Sequence, residues 1–206
     1  MKASNIRSIV FTALFGALFI ALSAVKIDLG FSAVPITLQN LAVMLAGAFL
    51  GARLGFASIM IVLLLTATGL PLLHGQGGLS YMTGPTGGFL AAFPINAFFV
   101  GLFVVMLMKS RFSLNRTTTI ICLFLIFEVF GSLLSYVGGV PWLMHSLDYS
   151  FHLAMIKGCY PYLLGDALKA AAATAITMSL YPFIAIYRAK QSTNHSSAAH
   201  QTGMSH

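Results

Sequence analysis

Six apolar stretches, each about long enough to cross a bilayer, follow one another in this 206-residue chain with short connections between them. They lie at Ile9 to Val25 and near 35–52, 54–72, 89–108, 117–138 and 158–187. A hydrocarbon layer of about 30 Å takes about 20 helical residues to cross, and lipid offers no partner to an unpaired backbone N–H or C=O. Runs of this kind are therefore read as helices. With 58% of residues hydrophobic, 7% charged and a mean hydropathy of +0.91, the expected fold is all-α: a polytopic membrane protein with six transmembrane helices. The second and third runs meet at Gly51-Ala52-Arg53-Leu54-Gly55, which predicts a close antiparallel hairpin.

Charge orients such a bundle. Lys2, Arg7, Arg53, Lys109, Arg111, Arg116, Arg188 and Lys190 fall on one side, and Lys26 and Lys157 on the other. The basic side is cytoplasmic by the positive-inside rule, which predicts both termini inside (N-in/C-in). The formal charge of +7 thus reports topology, and nucleic-acid binding, which wants a soluble basic face, is not expected. The run Ile9 to Val25 follows Lys2 and Arg7 but lacks a convincing cleavage site, so it is read as the first span and not as a signal peptide. Residues 1–190 form one six-helix transmembrane domain, and 191–206 a polar, disordered cytoplasmic tail whose His195, His200 and His206 lack zinc-site spacing. Cys122 and Cys159 fall near opposite faces of the membrane, too far apart for a disulfide.

Between the third and fourth runs lies GQGGLSYMTGPTGG, Gly75 to Gly88, with six glycines in fourteen residues and no charge. Glycine at that density uncovers backbone and lets another group approach it closely. The segment has no Lys-Ser/Thr ending and no strand-turn-helix setting, so it is not a phosphate-cradling P-loop. It is expected to hold a ligand.

Only four acidic residues occur. Asp28 and Asp148 are placed in outer loops as solvated charges. Glu128 falls within CLFLIFEVFGSLL, about halfway through the fifth span, where a carboxyl is costly unless protonated, paired or facing a cavity; a helix-packing role and a role near the ligand both remain open. Asp166 and Lys169 are three residues apart in YPYLLGDALKAAAATAITM, with Tyr162 one turn earlier on the same helical face. If Pro161 marks the first turn, the pair lies within reach of the outer surface. A self-neutralising or snorkelling ion pair is one reading, a ligand-binding pair the favoured one.

On the first span Ala13, Ala17 and Ala21 recur every fourth position beside Gly16, a smooth ridge that another helix can approach. Internal packing and docking of a second membrane protein both fit. Nothing points to catalysis: His74, His145 and His152 form no HExxH or His/Asp cluster and are expected as solvated tips at the outer surface, and no metal site or cofactor is expected.

VPITLQNLAVMLAGAFLGARLG at 34–55, GLSYMTGPTGGFLAAFPINA at 78–97 and GDALKAA at 165–171 together resemble the BioY family, the biotin-capturing S components of energy-coupling factor (ECF) transporters. The resemblance runs from about residue 6 to 188. It implies a multi-pass protein of the prokaryotic cell (inner) membrane that binds biotin near the outer face. Its implied partners are an ECF transmembrane coupling protein and two cytoplasmic ATPase subunits, which use the ATP. The ridge Ala13, Ala17, Ala21 resembles the family's A-x-x-x-A docking surface.

Biotin presents a ureido ring with two N–H donors and a carbonyl, an apolar thioether ring and chain, and a carboxylate. Asp166 is suited to accept from the ureido N–H groups and Lys169 to donate to its carbonyl; the alternative pose pairs Lys169 with the carboxylate. In the first pose, amides around Gly84, Thr86, Gly87 and Gly88 form a nest for the carboxylate. Tyr81, Phe89, Tyr162 and Trp142 pack the apolar part, and Gln39 closes the site as part of a lid. Rival readings are a solitary transporter, proton-coupled through Glu128 or Asp166 or facilitative, and an S component for another vitamin.

Overall fold

A computed structural model describes residues 3–110 and 115–180. Helix α1 (Ala3–Ser23) leads into a strap whose two short strands, β1 (Lys26–Ile27) and β2 (Ile36–Thr37), pair antiparallel. Helices α2 (Gln39–Leu50) and α3 (Ala52–Ala67) follow. A loop then carries the short α4 (Leu79–Met82) to α5 (Gly87–Ser110). Next comes a continuous helical rod, α6 (Arg116–Ile126), a π-helical stretch (Phe127–Leu133) and α7 (Leu134–Leu147). Last are α8 (Phe151–Gly158), a 3₁₀ turn (Tyr160–Tyr162) and α9 (163–180).

Four of these units are long and apolar enough to cross a membrane: Ile6–Ser23, Gly87–Ser110, Arg116–Leu147 and Phe151–Leu180. The second and third runs come out shorter than expected, as α2 of 12 residues and α3 of 16, about 18 and 24 Å at 1.5 Å per residue. The reason for the first is that residues 34–38, apolar except for Thr37, belong to the strap; Pro35 has no N–H to give a helix. The fifth run is longer than expected and continues to Leu147. The sixth is interrupted near its start at Cys159, φ −131°, and resumes through a 3₁₀ turn with Pro161 in its first positions, where a missing N–H costs a helix nothing. The tail at 191–206 lies outside the described residues.

The α2–α3 hairpin turns on the single residue Gly51, at φ 82°, a left-handed conformation open to glycine at little cost. Gly51 N–H donates to Gly47 O and Gly55 N–H to Gly51 O, each at 2.9 Å, so the turn leaves few backbone groups unpaired. Chain direction follows from side-chain meetings. Ser58 Oγ donates to Thr12 O at 2.8 Å and Gly16 faces Val62, so α1 and α3 run parallel. Asn96 Nδ2 meets Ser135 Oγ at 2.5 Å and Gly88 lies against Trp142, so α5 and α7 run antiparallel. Arg7, Arg53, Lys109 and Arg116 are consequently brought to one end of the bundle.

The core has three zones. Phe19, Val43, Ile59, Leu63, Leu90 and Phe93 join α1, α2, α3 and α5. Met44, Val100, Leu123, Phe127 and Ala173 join α2, α5, α6 and α9. At the other end of the bundle from the arginines, Phe89, Val140, Leu143, Ala154 and Tyr162 pack beneath the strap. Outward-facing side chains are also apolar, with Val137 72% and Leu164 75% exposed, as lipid contact requires. This is a multi-pass membrane protein.

Small residues set the helix spacing. A Cβ on Gly47 would stand 2.6 Å from Ala97 O and 2.9 Å from Val100, whereas one on Gly165 would meet nothing within 4 Å. Gly47→Ala is expected to destabilise the fold by about 1–3 kcal/mol through overpacking. Gly165→Ala should leave it unchanged or raise it by about 0.5–1 kcal/mol, because the backbone entropy of a helical glycine is relieved. Thermal unfolding in detergent, read as the order of the midpoints, checks both.

Candidate functional site

The end of the 3₁₀ turn and helix α9, which continues it, present Tyr162, Asp166 and Lys169 beneath the strap. Lys169 Nζ donates to Asp166 Oδ1 at 3.0 Å, and the two residues are only 9% and 2% exposed. The second carboxylate oxygen, Oδ2, accepts the hydroxyl of Tyr136 from α7. Both oxygens of the aspartate are thus engaged from different helices. Each keeps further lone-pair capacity, and an ammonium group carries three donors, of which one is used here among the described residues.

Tyr136 reaches Asp166 because of the π-helical stretch. An extra residue in a helical turn rotates everything after it by about 100°, and here it brings Phe127, Gly131 and Ser132 inward ahead of Ser135 and Tyr136. Gly131 makes room for Met44, whose Cγ lies 2.5 Å from where a Cβ would stand.

These residues line a cavity of about 60 Å³ whose walls are Val34, Pro35 and Thr37 of the strap, Gln39 and Asn40 at the start of α2, His74, Tyr81 and Thr86 of the glycine-rich loop, Phe89, Leu90 and Phe93 of α5, Ser135 and Tyr136 of α7, and Gly158, Tyr162, Asp166 and Lys169. Phe89 and Tyr136 meet edge to face at 6.0 Å. Gln39 Oε1 accepts from Thr37 Oγ1 at 3.2 Å, while its buried Nε2 has no partner among the described residues, a donor left over in a polar wall.

Outside this cavity is a vestibule of about 670 Å³ lined by Lys26, Asp28, Ala33, Gly75, Gln76, Gly77, Ser80, Gly84 and Pro85, and by four residues shared with the inner space: Pro35, His74, Tyr81 and Thr86. Those four are the partition. Burial pushes the Tyr81 phenol up to about 12, against a hydrogen bond from Thr86 that lowers it, so it stays a neutral O–H donor at physiological pH. His74 is not the solvated tip expected from sequence. Its Nδ1 lies 2.5 Å from Ser23 O, and burial, the largest influence, holds the imidazole below its ordinary range despite that bond.

The strap is latched from below. Lys157 Nζ donates to Phe31 O at 2.6 Å, Ser32 Oγ donates to Lys157 O at 2.6 Å, and the Tyr162 hydroxyl donates to Val34 O. Tyr162 therefore offers the cavity its ring and gives its hydroxyl to the strap.

The glycines of the GPTGG motif divide. Gly84 N–H is held by Tyr81 O at 3.2 Å and Gly87 N–H by Gly84 O at 2.9 Å, and Pro85 has no N–H, so any anion nest narrows to Thr86 and Gly88. Gly87 and Gly88 serve the close approach of Trp142: a Cβ on Gly87 would lie 2.9 Å from its Nε1, and one on Gly88 would overlap its Cβ. Trp142 Nε1 donates to Gly84 O at 2.8 Å, and the ring is not among those lining the inner cavity. It wedges the loop in place.

Among residues outside the cavity, Glu128 sits in the π-helical stretch within electrostatic reach of Asp166 and Lys169; its buried Oε2 has no partner among the described residues. Asp28 pairs with Lys26 at 3.1 Å on the surface, and Asp148 ends α7 in a left-handed conformation. Cys122 and Cys159 are both free. On α1 the small residues separate by role. Gly16 is buried against Val62 and Ser58, whereas Ala13, Ala17 and Ala21 are exposed. Ala13 and Ala17 line an apolar groove of about 480 Å³ between α1 and α3. Sequence reading missed Tyr136, Ser135, Asn40 and the cavity role of His74; no local motif marks them.

The chain is similar to known proteins in sequence and in fold. A family model described as the BioY family matches residues 1–185. The "Biotin transporter BioY" of Rhizobium etli is 38% identical over 184 residues, covering 86% of this chain and 96% of the relative. The "Probable biotin transporter BioY" of Pyrococcus horikoshii is 38% identical over 167 residues, covering 80% and 92%. A crystal structure of the S-component for biotin from an ECF-type ABC transporter superposes with a TM-score of 0.77 at 29% identity, covering 88% of this chain and 94% of that one. With its buried Asp166–Lys169 pair under a latched strap, and a match over nearly its whole membrane-spanning length, this chain belongs to the BioY family.

Proposed function

We propose that this protein is the substrate-capture S component of a biotin transporter of the ECF type, a binding subunit without catalytic activity of its own. The observation that carries the reading is the buried Asp166–Lys169 pair, held by Tyr136 and facing a cavity that also contains the unspent donor of Gln39. An acceptor and two kinds of donor suit the ureido group. Asp166 retains lone pairs for its N–H groups, and Lys169 and Gln39 have protons for its carbonyl. Phe89, Tyr81 and the ring of Tyr162 supply apolar wall for the thioether ring and chain. With the ring seated inward, the carboxylate points toward the partition, near Thr86 and Gly88.

The inner cavity, at about 60 Å³, is well below the roughly 300 Å³ or more of small-molecule pockets. A bicyclic ligand therefore enters by displacing the partition toward the much larger vestibule. In this reading six helices cross the membrane with both termini inside, the arginine-bearing end faces the cytoplasm of a prokaryotic cell across its inner membrane, and the cavity opens outward. The exposed ridge Ala13, Ala17, Ala21 beside the α1–α3 groove receives a helix of the ECF coupling protein, and the ATPase subunits act through it.

Two outcomes test this. In isothermal titration, Asp166→Asn or Lys169→Ala should weaken biotin binding by about 3–5 kcal/mol, because one buried charge is left without its partner. Tyr136→Phe should cost about 1.5–3 kcal/mol, the worth of a hydrogen bond to a charged group. Native protein that gives no heat with biotin and no competition by desthiobiotin would overturn the assignment. Separately, Ala13→Trp or Ala17→Trp should abolish biotin uptake in cells that also express the ECF partners, while titration of the purified variant remains native. Loss of both would mean a folding defect, and retention of uptake would remove the docking surface.

Glu128 favours a second reading, in which the protein transports alone with proton coupling, because an unpartnered carboxyl beside the ion pair is suited to carry a proton. Uptake that persists without any ATPase partner and collapses on adding an uncoupler would establish it.

A further inference from the structure

His74 has a position that the binding scheme leaves unused. It belongs to both the inner cavity and the vestibule, and its backbone is left-handed at φ 56°, a conformation uncommon for a residue with a side chain. Its Nδ1 lies 2.5 Å from Ser23 O at the end of α1. A carbonyl only accepts, so Nδ1 carries the proton and the tautomer is fixed. Nε2 is then the nitrogen left to act on a ligand. The ring stands edge to face with Tyr81 at 6.3 Å, interplanar angle 78°, which holds its plane in the partition.

We propose that His74 is the specificity-determining residue for the anionic end of the ligand, taking up a proton on Nε2 as a carboxylate arrives at the partition and donating it as a charge-assisted hydrogen bond. This rests on the biotin reading above. The charged and titratable groups around it are few: Lys26 and Asp28 from the strap, paired with each other, Tyr81 from α4, and Asp166 and Lys169 on the cavity floor. Burial, the largest influence, favours the neutral form of His74, and of the two strap charges that reach it Lys26 lowers its pKa by more than Asp28 raises it. A carboxylate supplies the missing countercharge. The imidazole pKa is therefore higher in the complex than in the free protein. Binding takes up a proton, so affinity rises as pH falls through the complex's pKa and levels off below that of the free protein.

Titration calorimetry on the whole purified protein, with biotin and with biotinol, whose carboxylate is replaced by a hydroxymethyl group, tests this between about pH 8 and about pH 5.5. The biotin carboxylate stays ionised throughout that range. Biotin affinity should rise by at least about threefold on going down the range, with a slope of at most about tenfold per pH unit, while biotinol affinity stays flat. His74→Asn keeps a residue that tolerates the left-handed backbone and should flatten the biotin profile, weakening biotin binding most at the acid end of the range. Equal slopes for biotin and biotinol, or a biotin slope retained in the variant, overturn the inference and leave biotin capture standing. Should the variant fail to fold, the two ligands on native protein decide the matter. Absence of biotin binding at every pH would overturn the functional reading and this inference with it.

Discussion

A carboxylate buried in a lipid-embedded bundle is the constraint around which this structure is arranged. Asp166 cannot be left alone there, since an ionised group taken out of water costs several kcal/mol even after relaxation. It is held by Lys169 from its own helix and by Tyr136 from α7. Satisfying it fixes how α9 is rotated, where α7 must place its tyrosine, and why the rod between α6 and α7 contains a π-helical stretch. The cavity is the space these demands leave open beneath the strap. Its polarity and its location have one cause.

Legibility in the sequence followed the range of each interaction. Tyr162, Asp166 and Lys169 follow one another at intervals of about one helical turn, so their common face was readable from spacing alone. Gly51 announced its hairpin because two apolar runs met with almost nothing between them. Tyr136 was not readable: its importance comes from a helix thirty residues away, and a tyrosine in an apolar run carries no local mark. The π-helical stretch that aims it is a register shift with no turn residues to signal it. His74 was misplaced for the same reason, since its partner Ser23 is 51 residues distant. The lengths of the second and third runs failed differently. Val34 to Leu38 is apolar except for Thr37 because it roofs a cavity, and hydropathy does not distinguish a roof from a membrane span.

The small residues carry two unrelated requirements on neighbouring positions. Gly47 and Gly16 let helices inside the bundle touch, and Gly87 and Gly88 let Trp142 wedge the glycine-rich loop. Ala13, Ala17 and Ala21, on the same helix as Gly16, are exposed instead. A pattern of small residues therefore separated into internal contact and free surface only once burial was known. The loop divides in the same way: Gly87 and Gly88 are crowded by the indole of Trp142 and Gly77 by Leu70 O, whereas Gly75 and Gly78 have room around them and adopt φ of 72° and 89°.

Tyr162, the last residue of the 3₁₀ turn that runs into α9, lies one turn before Asp166, and each ties this segment to something else: the tyrosine to the strap through Val34, the aspartate to α7 through Tyr136. Turning α9 about its axis moves both attachments at once. The roof of the cavity and the polar floor are therefore mechanically in series, and a push on one helix loosens lid and cargo contacts in a single stroke. Opening and unloading need no separate triggers in such an arrangement.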